Sequence, residues 1–513
     1  MSKISAKKRS ERFICGMRTT RYAAIFIMTM VFAKSIAQQP KEIINHTIEA
    51  MGGLKKWKSI DYINLKMAGH KYWLEQSENP NGPYITSYEV VDEVHGVWRD
   101  QMSRKEASRM FQSANEMKTE MMINGEYGTL KFGDRVMPLP SGYRQVHDEW
   151  MRYAPEKLVL DALKFPIRKE TDQVLEGTNH WVVSYVKNEL KHTLYINTNT
   201  HLLYQADIET FSPYDIFNYP WGKFTTTVKY SLQWLYPAKV RYPAQWDVYK
   251  LGKPFRSVTI FDIDFKPEVD QAPFAIPEST TSLPKATLVK DMPLAVDKIE
   301  TVADNIFTLP GSWYTAHVVQ DDGILVIESP ISSDYSEQHI AFLEKKYPSK
   351  PIKGVFVTSD AWPHIGGARA YAARNIPIYT HQLNEPLLKQ LLAADYSMMP
   401  DAYEQSRPNP KFNLISEPIE ITDKTNPVRI IPVNGEGGER MIMLYFPKTR
   451  VLYASDLVQY SGRNKEFFSP QYLTEVKSAV DKYKLDVETV FAFHTSPIGY
   501  QEILDFLEGF KIE

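Results

Sequence analysis

Two histidines and one aspartate stand where a folded chain can bring them together for chemistry. His364 follows the apolar run GVFVT by a few residues, Asp456 closes RVLYASD, and His494 closes VETVFAFH. Each run reads as a strand, and rigid strands aim the residues at their ends into a shared cleft. Two imidazoles and one carboxylate suffice to hold a divalent metal with coordination positions left open. The same residues also suit a metal-free polar network, in which His364 sits beside glycines at the first turn of a helix and holds Asp456 and His494. The residues alone leave both readings open.

The elements that must position these groups are legible around them. TAHVVQ and ILVIESP are two strands around an Asp322-Gly323 turn. SSDYSEQHIAFLEKKYP is helical, with Ile340, Leu343 and Tyr347 on one face. PIKGVFVT is a buried-type strand, IGGARAYAARN a helix, IPIYT a short strand and EPLLKQLLAADY a helix. PVRIIPV, RMIMLYFP and RVLYASD are three more strands. SPQYLTEVKSAVDKYK is a helix with Ser469 at the N-cap and Pro470 in the first turn; a last strand, VETVFAFH, and a last helix, YQEILDFLEGF, follow. Alternating sheets and helices with tight hairpins predict a layered α/β sandwich.

Over residues 300–512 the order and spacing of these stretches resemble the metallo-β-lactamase fold. GSWYTAHVVQDDGILVIESP, KGVFVTSDAWPHIGGARAYA, MIMLYFPKTRVLYASDL and VFAFHTSPIGY carry the likeness. That family's loop reads T-H-x-H-x-D-H-x-G-G. Thr358, His364, Gly366 and Gly367 match it, while Ser359, Ala361 and Pro363 stand where two histidines and an aspartate would be. A further family histidine belongs near Gly437, and NGEGGE has none; Asp456 matches the metal-bridging carboxylate and His494 the final histidine.

The resemblance therefore implies at most one divalent metal, zinc first, on His364, Asp456 and His494. A two-metal clamp has lost its ligands. One metal would lower the pKa of a bound water toward ~7 and hydrolyse an ester, thioester or lactam-like substrate, with Asp456 and His364 as the catalytic groups. Asp360 and Glu436 are candidate rescue ligands, and Glu436 also lies beside the expected substrate pocket. Trp313, Tyr314 and Trp362 flank the expected mouth, and Trp313 and Trp362 are pocket candidates. His381 is expected to be a surface or capping residue. The alternative is a pseudo-enzyme that has kept the frame and lost the reaction.

Ahead of this half, residues 38–283 open with a helical pattern, KEIINHTIEAM, stopped by Gly52-Gly53. Strand-like pieces follow, among them DYINLKMAGHKYW, SYEVVDEVHGVWRDQ, HWVVSYVKN, KFTTTVKYSLQWLY and FRSVTIFDIDFKP, interrupted by helical EWMRYAPEKLVLDAL. Alternation with short polar turns argues for an antiparallel sheet. The pattern of a helix ending in MGGLKKWKSIDYINLKMAG and then many strands resembles the half-barrel of LolA-like lipoprotein carriers. That likeness implies a concave sheet able to hold an apolar ligand or a lipid-bearing partner. Residues 266–294 contain five prolines and little periodicity, so a linker is expected over 284–299 and the second domain over 300–513. The expected class is α+β: an antiparallel half-barrel-like domain, then a layered αββα sandwich.

Residues 1–37 differ from the rest. A basic start, the apolar run AAIFIMTMVFA and small residues at Ser35 and Ala37 predict a secretory signal peptide cut after Ala37. The run is well short of the ~20 residues a membrane span needs, so no stable span is expected once it is removed. The expected location is periplasmic or extracellular. These residues hold eight of the 60 Lys and Arg and one of the 62 Asp and Glu, leaving a net charge of about −9 without them. That balance gives no basic face for nucleic acid. The one cysteine, Cys15, lies in the leader, so cores rather than disulfides must hold the remainder, and 43% hydrophobic residues supply them. No phosphate loop or G-x-S-x-G turn occurs.

Overall fold

A strand-rich N-terminal half begins with a helix, Pro40–Ala50, that buries Ile43, Ile44, Thr47 and Ile48. The computed structural model describes residues 39–74, 86–109, 116–433, 435, 440–461 and 466–510. The expected leader and Glu436 lie outside the described residues. The first helix stops at Gly52, whose φ of +124° suits glycine and whose Cβ would meet the Lys239 carbonyl oxygen at 2.8 Å.

Fourteen antiparallel strands then make one sheet. It runs from Arg135–Leu139 at one edge to Arg168–Lys169 at the other, and its centre pairs the first strand, Tyr62–Tyr72, with the last, Lys253–Asp264. Helices Glu149–Tyr153 and Pro155–Ala162, separated by an extended Ala154 before Pro155, join the core of that sheet. Trp57, Trp150, Leu158, Tyr230, Tyr242 and Trp246 belong to this core.

The C-terminal half contains two further sheets. The first has seven strands, from Glu300–Ala303 to Phe412–Ile415, antiparallel up to Ile324–Ile327 and parallel from there through Ile352–Val357 and Ile378–His381. The second has six strands, from Ile419–Ile421 to Thr495–Gly499, with Val451–Tyr453 parallel to Thr489–Ala492. Ile306, Val318, Ile327 and Phe356 of one sheet share a core with Ile430, Leu444, Tyr453 and Phe491 of the other. Helix Pro470–Tyr483 buries Leu473 and Val476 against the second sheet's other face, through Ile431, Met443 and Leu452. Ser469 precedes that helix, but its hydroxyl contacts Gln471 rather than capping the turn.

The halves touch along the linker and along a segment of the first half. Residues 284–299 hug both of them instead of hanging free: Ala286 N–H donates to Ser141 O at 2.9 Å, Val289 N–H to Pro213 O at 2.9 Å, and Leu294 N–H to Gln338 Oε1 at 2.9 Å. The segment 217–223 of the first half also packs on the second. Trp221 meets Trp362 edge-on at 5.0 Å, and Phe217 meets Trp313 at 5.5 Å. Tyr396 OH donates to Pro220 O at 2.7 Å, and Lys223 N–H to Asp395 O at 2.7 Å.

Candidate active site

Four strand ends deliver the polar groups of the second half to one place. Strand Ile352–Val357 runs into Thr358 and a short helix, Trp362–Ile365, that carries His364. Strand Val451–Tyr453 is followed by Ser455 and Asp456. Strand Thr489–Ala492 turns through Phe493 and His494 into Thr495–Gly499. Strand Ile324–Ile327 is followed by Glu328. Glu328, Ile331 and Ser455 have φ of 71°, 69° and 54°. Such values are strained for non-glycine residues, most of all for β-branched Ile331, and that strain concentrates at functional sites.

The centre of the cluster is His364, which is fully buried. Its Nδ1 lies 2.9 Å from Glu328 Oε2, and its Nε2 lies 3.8 Å from Asp456 Oδ2, an ion-pair contact too long for a hydrogen bond. Phe493 stacks on the imidazole at 3.6 Å. Glu328 Oε1 accepts hydrogen bonds from Thr358 Oγ1 and, at 2.8 Å, from Tyr453 OH. Asp456 Oδ1 is 3.1 Å from His494 Nε2 and accepts from Gln459 Nε2 at 3.0 Å. The two imidazoles therefore meet different oxygens of one carboxylate.

Electrostatics makes His364 a cation at neutral pH. Burial acts to lower its pKa, but the carboxylates of Glu328 and Asp456 outweigh it and raise the value from 6.5 to about 9. Burial likewise opposes the charge on Asp456, yet its contacts with the His364 and His494 rings and their charge hold that carboxyl well below the usual carboxylate range.

The remaining residues singled out in the sequence are placed as follows. Trp313 and Trp362 lie in the contact between the halves, against Phe217 and Trp221, and both are buried. The Tyr314 hydroxyl is 3.4 Å from Ser496 Oγ, and its N–H donates to Phe493 O at 3.0 Å. Asp360 forms an ion pair with Arg440 Nη1 at 3.2 Å, away from His364. Ser359 Oγ accepts from Ala361 N–H at 3.1 Å, and Pro363 O from Ile331 N–H at 3.2 Å. His381 caps a short helical turn by accepting from Leu383 N–H at 3.2 Å, and burial together with Arg440 pushes its pKa down to about 4. Glu328 is the residue missed in the sequence. Its signal was the one used for Asp456 and His494, an ionisable residue closing an apolar strand, here ILVIE.

These residues do not fit a metal. Among the described residues no group of three or more His, Cys, Asp or Glu is arranged to hold an ion. Zinc needs its donors about 2.0–2.2 Å from one point, as neutral imidazole and carboxylate. His364 Nε2 and His494 Nε2 approach opposite oxygens of Asp456, at 3.8 and 3.1 Å, rather than one common point. His364 is stacked against the Phe493 ring and buried, whereas the His494 side chain is 30% exposed.

No family model matches the chain. Solved structures to which part of the chain is similar include the stereoselective inverting sec-alkylsulfatase Pisa1 from Pseudomonas sp., at 15% identity over 41% of this chain and 40% of that one, with a TM-score of 0.31. They also include the DIM-1 metallo-β-lactamase (15% identity, 41% of this chain, 94% of that chain, TM-score 0.31) and a metallo-β-lactamase from Pontibacter korlensis (11%, 41%, 96%, 0.31). The match thus spans about two fifths of the sulfatase and nearly all of each lactamase.

Proposed function

We propose that the C-terminal half is a metallo-β-lactamase-type domain in which a buried imidazolium takes the electrostatic place of a metal, and that the chain is an exported binding protein. One observation carries this reading: His364, fully buried, stands between the carboxylates of Glu328 and Asp456 with Nδ1 2.9 Å from the first. A cation is still present where carboxylates converge, but it is a side chain and offers no open coordination position to a water. The contact of Trp221 on Trp362 and Phe217 on Trp313 supports a scaffold role, because it uses the expected pocket wall as an internal surface.

The ligand site under this reading lies in the N-terminal half. A cavity of about 620 Å³ there is lined by Arg144, Arg152, Lys157 and Lys187 beside Asp148 and Asp161, with Trp98, Phe165 and Phe211 on its apolar walls. Asp161 is shared by Lys187 at 2.6 Å and Lys164 at 2.7 Å, and the wall sets six Lys and Arg against five acids, Asp100, Glu126 and Glu209 besides Asp148 and Asp161. The charged lining suits an amphipathic small molecule with an anionic group better than a wholly apolar one. Export rests on the basic-then-apolar character of residues 1–37.

The second reading is a hydrolase with one metal at the solvent edge. It is favoured by the 30% exposed His494, whose Nε2 lies 3.1 Å from Asp456 Oδ1. Zinc loading followed by dialysis and elemental analysis separates the two. The binding-protein reading expects far less than one zinc per chain, and the same melting temperature with and without zinc. Stoichiometric zinc in the wild type that is lost in Asp456→Asn would overturn it.

A further inference from the structure

The strand Phe224–Tyr236 and its partner Val240–Lys250 form a hairpin whose second strand buries Val240, Tyr242 and Ala244. Up to Tyr230 the first strand buries alternate residues: Phe224, Thr226, Val228 and Tyr230. At Leu232 the alternation breaks. Ser231 pairs with Gln245 and Gln233 with Pro243, so the register runs unbroken past Leu232, whose φ is nevertheless 52°. Past it, Leu232, Trp234 and Leu235 are 49%, 52% and 65% exposed. The first strand of the tip thus spends tryptophan and leucine surface on solvent, which marks an interaction site.

The surroundings indicate the partner. Lys239 and Arg241 belong to the same tip, and Lys55, Lys56 and Lys58 come from the helix Leu54–Trp57 and its end. That segment abuts the hairpin: Arg241 N–H donates to Met51 O at 3.2 Å, and Trp57 and Tyr236 both pack on Phe265, at 6.3 and 5.6 Å. None of the five cations forms an ion pair among the described residues. Exposed Trp and Leu ringed by Lys and Arg match the interface of a bilayer, with rings at headgroup depth and cations on lipid phosphates. No described helix is long and apolar enough to cross a membrane, so the contact would be peripheral.

We propose that the hairpin tip around Trp234 and Leu235, with the lysines of 55–58, docks the protein on an anionic lipid surface. The proposal stands apart from the fate of His364. The test uses the full chain without its leader and sedimentation with phosphatidylcholine vesicles, with and without phosphatidylglycerol. Binding is expected to the anionic vesicles, weakened by salt, with a blue shift of tryptophan emission. Trp234→Ala combined with Leu235→Ser should weaken it about tenfold or more, and so should Lys55→Glu with Lys239→Glu, since each apolar and each basic contact contributes separately. These positions are exposed, and unchanged circular dichroism and melting temperature would show that the variants fold. Equal binding to neutral vesicles, no binding to either, or binding untouched by both double variants would overturn the proposal. So would self-association that the Trp234→Ala, Leu235→Ser variant abolishes in the absence of vesicle binding, which would assign the patch to a second copy of the chain.

Discussion

His95 in the N-terminal half and His364 in the C-terminal half are both fully buried and both flanked by two carboxylates. In each, burial acts to lower the pKa and the carboxylates overcome it, raising the value to about 9. They differ in how completely they are satisfied. His95 Nδ1 meets Glu93 at 3.1 Å and Nε2 meets Glu156 at 2.8 Å; Arg104 Nε then donates to Glu93 and Tyr242 OH to Glu156, both at 2.8 Å. His364 has one such contact, to Glu328, while Nε2 faces Asp456 across 3.8 Å with no hydrogen bond. A closed network specifies a core, whereas a half-satisfied one is expensive and is kept where something other than stability shaped it. The second histidine also sits among strained backbone at converging strand ends, whereas the first belongs to the core of the large sheet.

The largest expected effect comes from removing the carboxylate that each histidine holds most closely. Glu156→Ala and Glu328→Ala each leave a buried imidazolium short of a partner, and each should cost about 3–5 kcal/mol in denaturant unfolding. A loss below about 1 kcal/mol at Glu328 would break the parallel between the clusters.

Next is pH. Both folded pKa values are raised, so both contributions are complete below about 6.5 and fade as pH rises through about 9. Each histidine should contribute on the order of 3 kcal/mol across that window. In His364→Gln the deficit against wild type should be greatest below pH 6.5 and should shrink toward pH 9, as read by melting curves. A deficit that grows with pH would contradict a protonated His364.

The asymmetry itself is tested by the outer partners. Glu156→Gln breaks a 2.8 Å contact and should cost more than Asp456→Asn, which loosens a 3.8 Å one, with the latter near about 1–2 kcal/mol. The smallest effect is expected at His494→Ala. Its side chain is 30% exposed, so its pair with Asp456 should be worth under about 1 kcal/mol.

Parts of this arrangement were legible in the sequence because strands carry their ends with them. GVFVT, RVLYASD and VETVFAFH announce His364, Asp456 and His494 as strand-end groups, and the structure brings all three to the same cluster. Glu328 escaped because an acid after ILVI also reads as a solvent-facing turn. The His95 cluster escaped because the binary pattern of TSYEVVDEVHG is inverted: Glu89 is 1% exposed and Val90 42%. Alternation shows that two faces exist but not which one is inside when the interior is itself charged. The contact of Phe217 and Trp221 with Trp313 and Trp362 joins segments far apart in the chain, and no local period records that. The prolines of this stretch led to the expectation of a linker, but its stitching to Ser141 and Gln338 depends on surfaces that exist only after folding.

The most direct measurement is the ¹⁵N chemical shift of the His364 ring, assigned by its disappearance in His364→Gln and followed from acid to alkaline pH with and without zinc. The expected result is an imidazolium at pH 7 that titrates near 9 and is unmoved by zinc. A ring that is neutral at pH 7, or whose Nε2 shifts on addition of zinc, would contradict the claim that a protonated side chain stands where a metal would.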